Sequence, residues 1–404
     1  MHILILPSWY PTHENPLNGI FFREQVHALK NASHQVGVIY PQLRSLILMR
    51  KSLFGWPSGI TYEDDDGIPT YGLHGWAWLP LIPRQNINLW LKAGERLFER
   101  YVSDRGRPDI LHAHSCLLGG VLAARLKATY GISYIITEHS TTYSRNLLHS
   151  WQRPLVSEAL SKASALVTVS PQLGHLLESS FGDAVHPWVW IPNMVDTSFF
   201  TAIQYQTKEK NEPFQFLNVG LLTEKKGHID LIRAFAGQFA GNADVELRIG
   251  GDGPIRSYLE RLTANLGVND RVVFLGMLSR DEVRREMQAC DAFVLSSHYE
   301  TFGIVLIEAL ACGKPVVATR SGGPECIVHN GNGLLVPVHD EIALGNAMNT
   351  LRLNLSRYDP EVIRNDCIAR FGPRAVIGQL TGLYQKVLHL SEGSPYCGCR
   401  KHRL

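Results

Sequence analysis

The sequence has no excess of charge of either sign: 39 lysines and arginines stand against 37 aspartates and glutamates over 404 residues, a formal net charge of +2. Such a balance carries no electrostatic footprint for nucleic acid, which is excluded as an expected partner. No uninterrupted apolar run reaches the length needed to cross a bilayer. The opening MHILILPSWYP has a short apolar run, no basic lead and Pro7 at its end, so it reads as a first strand and not as a signal peptide. The seven cysteines (Cys116, Cys290, Cys312, Cys326, Cys367, Cys397 and Cys399) are odd in number and scattered, which excludes a disulfide framework and fits a reducing cytosol. Cys397-Gly-Cys399 with His402 offers soft-metal ligands, but in a basic terminus that reads as disordered. Repeats of solenoid length are absent, and no D-x-D signature is placed to hold a divalent metal; the acidic run Glu63 to Asp66 reads as a solvated turn. The expectation is a cytoplasmic protein, soluble or peripheral.

What is present is strand alternating with helix, twice over. The length suits two domains of about 150 to 200 residues each. Strands are expected at His2 to Leu6, Gln35 to Tyr40, Asp109 to His112, Tyr134 to Thr137 and Ala165 to Val169, with a helix from Gly19 to Lys30. The alternation restarts with strands at Phe214 to Val219, Val245 to Gly250, Val272 to Leu275 and Ala292 to Leu295. Helices are expected between them at Gly227 to Phe239, Pro254 to Leu266 and Arg280 to Ala289. Two open, mostly parallel sheets in series follow, each binding ligands at the carboxyl ends of its strands. The join is expected in Ile191 to Phe200, before the polar linker Gln204 to Pro213. The region between the second strand and Asp109 reads as irregular. It interleaves Arg44, Arg50, Lys51 and Arg84 with Trp56, Trp76 and Trp78, either as a surface resting on a membrane or as a loop packed on its own domain.

The stretch SSHYETFGIVLIEALACGKPVVAT, Ser296 to Thr319, is apolar or small except for a few residues, among them Glu300 and Glu308. Gly303 to Cys312 reads as a helix apolar on nearly every side, sandwiched inside a larger protein. Glu308 is its one charge, and a carboxylate taken out of water needs a donor from the protein or from a ligand's hydroxyls. Glu300 precedes the helix, where the backbone N–H groups of Phe302 and Gly303 favour negative charge and suit a diphosphate. The pair reads as a site for hydroxyls beside phosphate, or else as a helix N-terminal charge and a core residue satisfied by the chain.

Glycine turns close three strands. VGLLTEKKG (Val219 to Gly227) puts Lys226 where an ammonium meets a phosphate, IGGDGP (Ile249 to Pro254) makes a tight turn, and SGGPE (Ser321 to Glu325) offers a nest of N–H groups. His114, Glu138, His139 and Ser170 lie at or just beyond expected strand ends. His112 and His114 are read as pointing to opposite faces, so that at most one looks into a cleft.

These segments, together with SWYPTHENPLNGIFFREQVHAL, PDILHAHS, ITEHS, VSPQL, IPNMVD, NGNGLLV and the ending RFGPRAVIGQLTGLYQKVL, cover most of the chain. In this order they resemble the retaining glycosyltransferases of family 4, which have the GT-B fold. The resemblance implies two Rossmann-like α/β domains with parallel sheets facing across a cleft: an acceptor-side domain over residues 1–195, a nucleotide-sugar-binding domain over 196–372, and a crossover helix and tail over 373–404. It implies a UDP- or GDP-linked donor and no other cofactor or metal. The acceptor would be a glycan or lipid-linked molecule of surface polysaccharide or glycoconjugate assembly, met at the inner face of the membrane. Glu300 would hold hydroxyls of the donor sugar, Lys226 the diphosphate with help from Phe302, Gly303 and the Gly19 loop, and Glu308 the ribose hydroxyls. His139 would face the sugar across the cleft, while Gly220, Lys225, Gly251 and Met277 complete the donor-binding set and Asn193 is structural. Transfer would proceed by front-face attack, the protein's part being positioning and charge stabilisation.

One position departs from the pattern. Where the family commonly has arginine after the first glycine of the lysine segment, this chain has Leu221. A charge-assisted hydrogen bond is worth about 1.5 to 3 kcal/mol, so its loss without replacement costs about ten- to a hundredfold or more in rate. Lys225 and Arg23 are the expected substitutes.

Overall fold

The computed structural model describes residues 1–12, 18–45, 57–77, 83–182, 185, 187–202 and 212–392. The first half runs β1 (His2–Pro7), α1 (Ile20–Asn31), β2 (Gln35–Ser45), β3 (Gly59–Asp64), β4 (Pro69–Ala77), α2 (Pro83–Arg105), β5 (Ile110–His114), α3 (Val121–Tyr130), β6 (Tyr134–Glu138), α4 (Arg153–Lys162), β7 (Ala165–Thr168), α5 (Pro171–Phe181) and β8 (Trp188–Trp190). Its sheet has the order β3-β4-β2-β1-β5-β6-β7-β8, parallel except for the β3–β4 pair at one edge. The second half runs β9 (Phe214–Val219), α6 (His228–Phe239), β10 (Val245–Gly250), α7 (Arg256–Asn265), β11 (Val272–Gly276), α8 (Arg280–Ala289), β12 (Ala292–Leu295), α9 (Ile304–Ala311), β13 (Val316–Thr319), β14 (Gly333–Val336), α10 (Glu341–Leu353), α11 (Pro360–Phe371) and α12 (Pro373–Glu392). Its sheet, β11-β10-β9-β12-β13-β14, is parallel throughout.

Strands covered on both faces read as near-continuous apolar runs, and in β1 all six residues of HILILP are buried, the one polar side chain, His2, lying with its Nε2 2.7 Å from Tyr101 Oη. Each sheet has a switch point where the strand order reverses, between β1 and β5 in the first and between β9 and β12 in the second. Loops leaving a switch point open a crevice at the strand ends. The turn after β9 carries Lys225 and Lys226, and the segment after β12 carries Glu300, so residues 74 positions apart meet.

The last helix belongs to the second half in sequence and to the first in packing. Val376, Ile377, Leu380, Tyr384 and Val387 of α12 share a core with Ile3 and Ile5 of β1 and Phe22 and Val26 of α1. Tyr384 Oη lies 2.7 Å from His112 Nδ1 on β5.

The region read as irregular is ordered over much of its length. β2 pairs with β4 in parallel, β3 closes the edge, and α2 buries Trp90, Leu91, Leu97, Phe98 and Tyr101 against the sheet. Glycines in β4 and an exposed β3 blurred the alternation that marks strands. Arg44 does not belong to a membrane-facing surface: it is buried, donating to Pro57 O at 2.9 Å. Arg50, Lys51, Trp56, Trp78, the Cys397–Cys399 motif and most of the linker lie outside the described residues.

Candidate functional site

The second sheet supplies a polar wall. Lys226 Nζ donates to Glu300 Oε2 at 2.6 Å, with the lysine side chain 22% exposed and the glutamate 15%. Ser297 Oγ donates to the same oxygen at 3.3 Å, and the Glu300 backbone N–H is fixed on Ser321 O at 3.0 Å. The turn must be glycine at 227, where φ is +65° and an added Cβ would lie 2.0 Å from Ser296 O. Gly251 (φ +133°) is pressed on its fellow candidate Gly220 in the same way, so the two glycines bring the β9 and β10 turns together. Gly303, also at positive φ, opens α9, whose first N–H groups have no preceding carbonyl of the helix. The Phe302 ring itself is core, edge-on to Phe371 at 5.7 Å.

The first sheet supplies a dry wall. His139, just beyond β6, is buried, and burial pushes its imidazole down to about 3. Its Nε2 lies 3.0 Å from His114 Nδ1, and burial holds His114 well below the ordinary histidine range too. Phe21 and Phe22, which follow Gly19 at the start of α1, place their rings 5.3 and 5.1 Å from His139. The walls touch where Thr301 Oγ1 donates to His139 O at 2.8 Å. Lys226 and Glu300 on one wall are thereby brought next to His139 and, through Phe21 and Phe22, to the Gly19 turn on the other.

Glu308 lies deeper along α9. No hydrogen bond to its carboxylate is found among the described residues, and burial raises it to about 8, helped by Glu24 and opposed by Arg280. Glu24 of α1 is ion-paired with Arg280 of α8 across the cleft, and burial pushes it to about 7. Arg280 stacks over Phe199 at 4.4 Å. A cavity of about 820 Å³ adjoins this pair, between α1, Met194–Ser198 and α12, and contains neither Lys226 nor Glu300. Met277 follows β11, 61% exposed.

Several expectations are corrected. His112 and His114 share one face, as residues two apart in a strand must, with their rings 4.2 Å apart. Both are fully buried, and His112 is held by Tyr384 and Thr137, each at 2.7 Å. The acidic run is not a solvated turn throughout: Asp65 is buried and bridged twice by Arg23, with His27 Nε2 at 3.1 Å. Arg23 is thereby held away from the role of substitute cation. Leu221 is 53% exposed, and Lys225, lowered by burial and by Lys226, is the cation left beside it on the turn. In SGGPE the Gly322 N–H is taken up by Glu325 at 3.0 Å, so the nest is closed by the chain's own carboxylate. Sequence reasoning missed Ser297, Thr301 and the Glu24–Arg280 pair. The two hydroxyl residues flank Glu300 in sequence, a signal that was there to use.

Two facing parallel α/β units joined by a returning helix, with a lysine–glutamate pair at the switch point of the second, define the GT-B class of glycosyltransferase. The chain belongs to the family 4, group 1 glycosyltransferases: the model "Glycosyltransferase Family 4" matches residues 19–199 and "Glycosyl transferases group 1" matches residues 199–358. It is 34% identical over 247 residues to an uncharacterized glycosyltransferase of Methanocaldococcus jannaschii, covering 56% of this chain and 62% of that protein, so under two thirds of that relative is spanned. In fold it is similar to the sucrose-phosphate synthase of Thermosynechococcus elongatus (TM-score 0.78, 23% identity, 96% of this chain and 100% of that one). It is similar also to Anabaena HepE in complex with UDP (TM-score 0.73, 20% identity, 96% and 100%).

Proposed function

We propose that the protein is a retaining, metal-independent glycosyltransferase that moves a sugar from a UDP- or GDP-linked donor to a glycan or lipid-linked acceptor in surface polysaccharide or glycoconjugate assembly. The single observation that carries this reading is the Lys226–Glu300 contact of 2.6 Å beside the start of α9, with His139 tied to the same segment through Thr301. A diphosphate placed there meets an ammonium and helix N–H groups, and the attached sugar meets a carboxylate. The UDP held by the similarly folded HepE supports a nucleotide donor.

In this scheme the acceptor oxygen attacks the anomeric carbon on the face from which the diphosphate leaves, and the leaving phosphate oxygen takes the acceptor's proton. Lys226, with Lys225 behind it, stabilises the charge that grows on the diphosphate. Glu300, oriented by Ser297, holds sugar hydroxyls, and Glu308, whose carboxylate has no donor among the described residues, accepts hydrogen bonds from the ribose hydroxyls. His139 faces the sugar as a neutral imidazole. The turns at Gly19, Gly220, Gly251, Phe302, Gly303 and Met277 line the donor. The acceptor fits a cavity of about 540 Å³ on the first half, lined by Tyr10, Arg23, Tyr40, Thr61 and His74 among others, aromatic faces and hydrogen-bonding groups that suit a sugar ring. Residues 1–195 are assigned to the acceptor side, 196–372 to the donor and 373–404 to the crossover helix and tail. The site of action is assigned to the cytoplasm, at the inner membrane face, on the family resemblance; none of the helices in the described residues is long and apolar enough to cross a membrane.

A second reading, a weakly catalytic nucleotide-sugar binder, is favoured by Leu221 with Arg23 engaged elsewhere. Thermal-shift screening against UDP, GDP, ADP and their sugar conjugates with EDTA, followed by turnover of the donor that binds, separates the two. Glu300→Ala is expected to abolish transfer in a chain that stays folded; a folded, active variant removes Glu300 from its assigned role.

A further inference from the structure

Away from the cleft, three segments bring two imidazoles and a carboxylate together. Asp230 stands in the first turn of α6, His298 follows β12, and His339 lies in the turn before α10. His298 Nε2 is 2.8 Å from Asp230 Oδ2, His339 Nδ1 is 3.5 Å from the same oxygen, and the two rings lie 3.9 Å apart. The three ligand atoms all fall within 4.8 Å of one another. Zn²⁺ bonds tetrahedral nitrogen and oxygen ligands at about 2.0 to 2.2 Å, which sets those ligands roughly 3.3 Å apart. The two shorter distances bracket that spacing. Two nitrogens and one oxygen suit a borderline metal such as Zn²⁺; Mg²⁺ and Ca²⁺ call for oxygen ligands.

The setting also suits an ion. The Asp230 and His298 side chains are 16% and 18% exposed, and so held by their surroundings, whereas His339 is 62% exposed. That gradient gives two fixed ligands, a third that closes from solvent, and room for water in the fourth position. His339 takes φ +59°, uncommon for a residue with a side chain, and from there its ring meets the other two.

We propose that Asp230, His298 and His339 form a Zn²⁺ site that ties α6, the segment after β12 and the turn before α10 into one unit. The site backs onto the donor-side turn without entering the cleft. His298 N–H donates to Lys225 O at 2.8 Å, and a Cβ on Gly227 would lie 3.1 Å from His298 Nε2. The ion is structural here and takes no part in the transfer.

The test uses untagged full-length protein carrying Cys397→Ser and Cys399→Ser, so that the cysteine pair near the C-terminus does not compete for metal. Zn²⁺ is titrated against a chromophoric chelator, and Tm is followed with Zn²⁺ and with Mg²⁺. Expected are one Zn²⁺ per chain with a micromolar or tighter Kd, and a rise in Tm with Zn²⁺ that Mg²⁺ does not give. Since loss of even an outer-sphere partner costs about 10- to 100-fold in metal affinity, His298→Ala and His339→Asn are each expected to weaken binding at least about tenfold. Asparagine tolerates the left-handed backbone at 339, so that variant keeps its fold. His329→Ala, which removes an imidazole bonded to Asp366 and to the Gly331 N–H and to none of the three ligands, leaves Kd unchanged. Absence of saturable Zn²⁺ binding, or binding untouched by His339→Asn, overturns the assignment.

Discussion

The two walls of the cleft handle charge in opposite ways. On the first sheet, His112, His114 and His139 are buried together and driven neutral, their protons withheld by desolvation. On the second, Lys226 and Glu300 are paired at 2.6 Å and remain partly in contact with solvent, and Glu308 has no donor among the described residues. The histidine wall is mainly a shape: its rings pack on one another and on Phe21 and Phe22, and both ring nitrogens of His112 are bonded within the fold, while His114 Nε2 and His139 Nδ1 have no hydrogen-bond partner among the described residues. The lysine–glutamate wall is a charge distribution whose partners can be exchanged for those of a ligand. Substitutions on the second wall should therefore act on turnover and affinity, and those at His112 and His114 on the first on stability, with His139, proposed to face the sugar, acting on both.

The largest effect is expected at Lys226. Removing a donor aimed at developing charge costs about 10² to 10³ in rate, so Lys226→Ala should lower kcat/KM by that factor. Its effect on stability should be small, because a partly exposed pair contributes about 0 to 1 kcal/mol. Steady-state kinetics with the donor found by screening, beside a melting curve, tests both halves. A variant that melts early and turns over normally would reverse the comparison of the walls.

Much of the second wall is legible in the sequence. Buried parallel strands are short apolar runs closed by glycine turns, and β9 to β12 fall within a residue or two of where those runs stand. Glu300 and Glu308 declared themselves as charges in an apolar stretch. What joins Lys226 to Glu300, however, is the adjacency of β9 and β12 in the sheet, a fact of strand order that no local pattern carries. The first wall was read less well. The period of two puts His112 and His114 on the same face, where their tilted rings pack 4.2 Å apart; the expectation of opposite faces runs against that period. The Thr301–His139 and Glu24–Arg280 contacts exist only because two separately folded sheets come together, and an isolated threonine or glutamate gives no sign of that.

A smaller effect, but one with a sign, is expected at Glu308. Its carboxyl is raised to about 8 from an ordinary value of 4.5, so the folded state binds the proton more tightly than the unfolded one. Stability from this group is fully present below about pH 4.5 and is lost as pH rises through 8. Ribose hydroxyls favour the ionised form, so nucleotide affinity should rise with pH across the same upper range. Glu308→Gln should abolish that rise and, relative to the native chain, gain stability between pH 5 and pH 8 by the logic of linkage. Glu24, raised to about 7, adds a slope of the same sign, which the difference between native and variant removes. Nucleotide titrations at several pH values, paired with denaturant curves, read both consequences. Equal pH slopes in the two proteins would place Glu308 outside the nucleotide site.

The smallest functional effect is expected where the first wall meets the last helix. His112 is fully buried and neutral, and its two ring nitrogens face two hydroxyls, Tyr384 Oη and Thr137 Oγ1, both at 2.7 Å. A neutral imidazole donates from one nitrogen and accepts at the other, so each hydroxyl takes the complementary role. Tyr384→Phe keeps the ring that packs among Val376, Leu380 and Val387 and removes only the oxygen. The stranded nitrogen then bears a desolvation cost of about 1 to 3 kcal/mol. For a unit of 150 to 250 residues this is a fall in Tm of about 2 to 4 °C per kcal/mol. Turnover at temperatures well below the transition should be nearly unchanged, because the hydroxyl touches neither the Lys226–Glu300 pair nor the His139–Thr301 contact. A marked loss of kcat without a loss of Tm would mean that docking of α12 sets the catalytic geometry of the cleft, and that the wall described as a shape also governs rate.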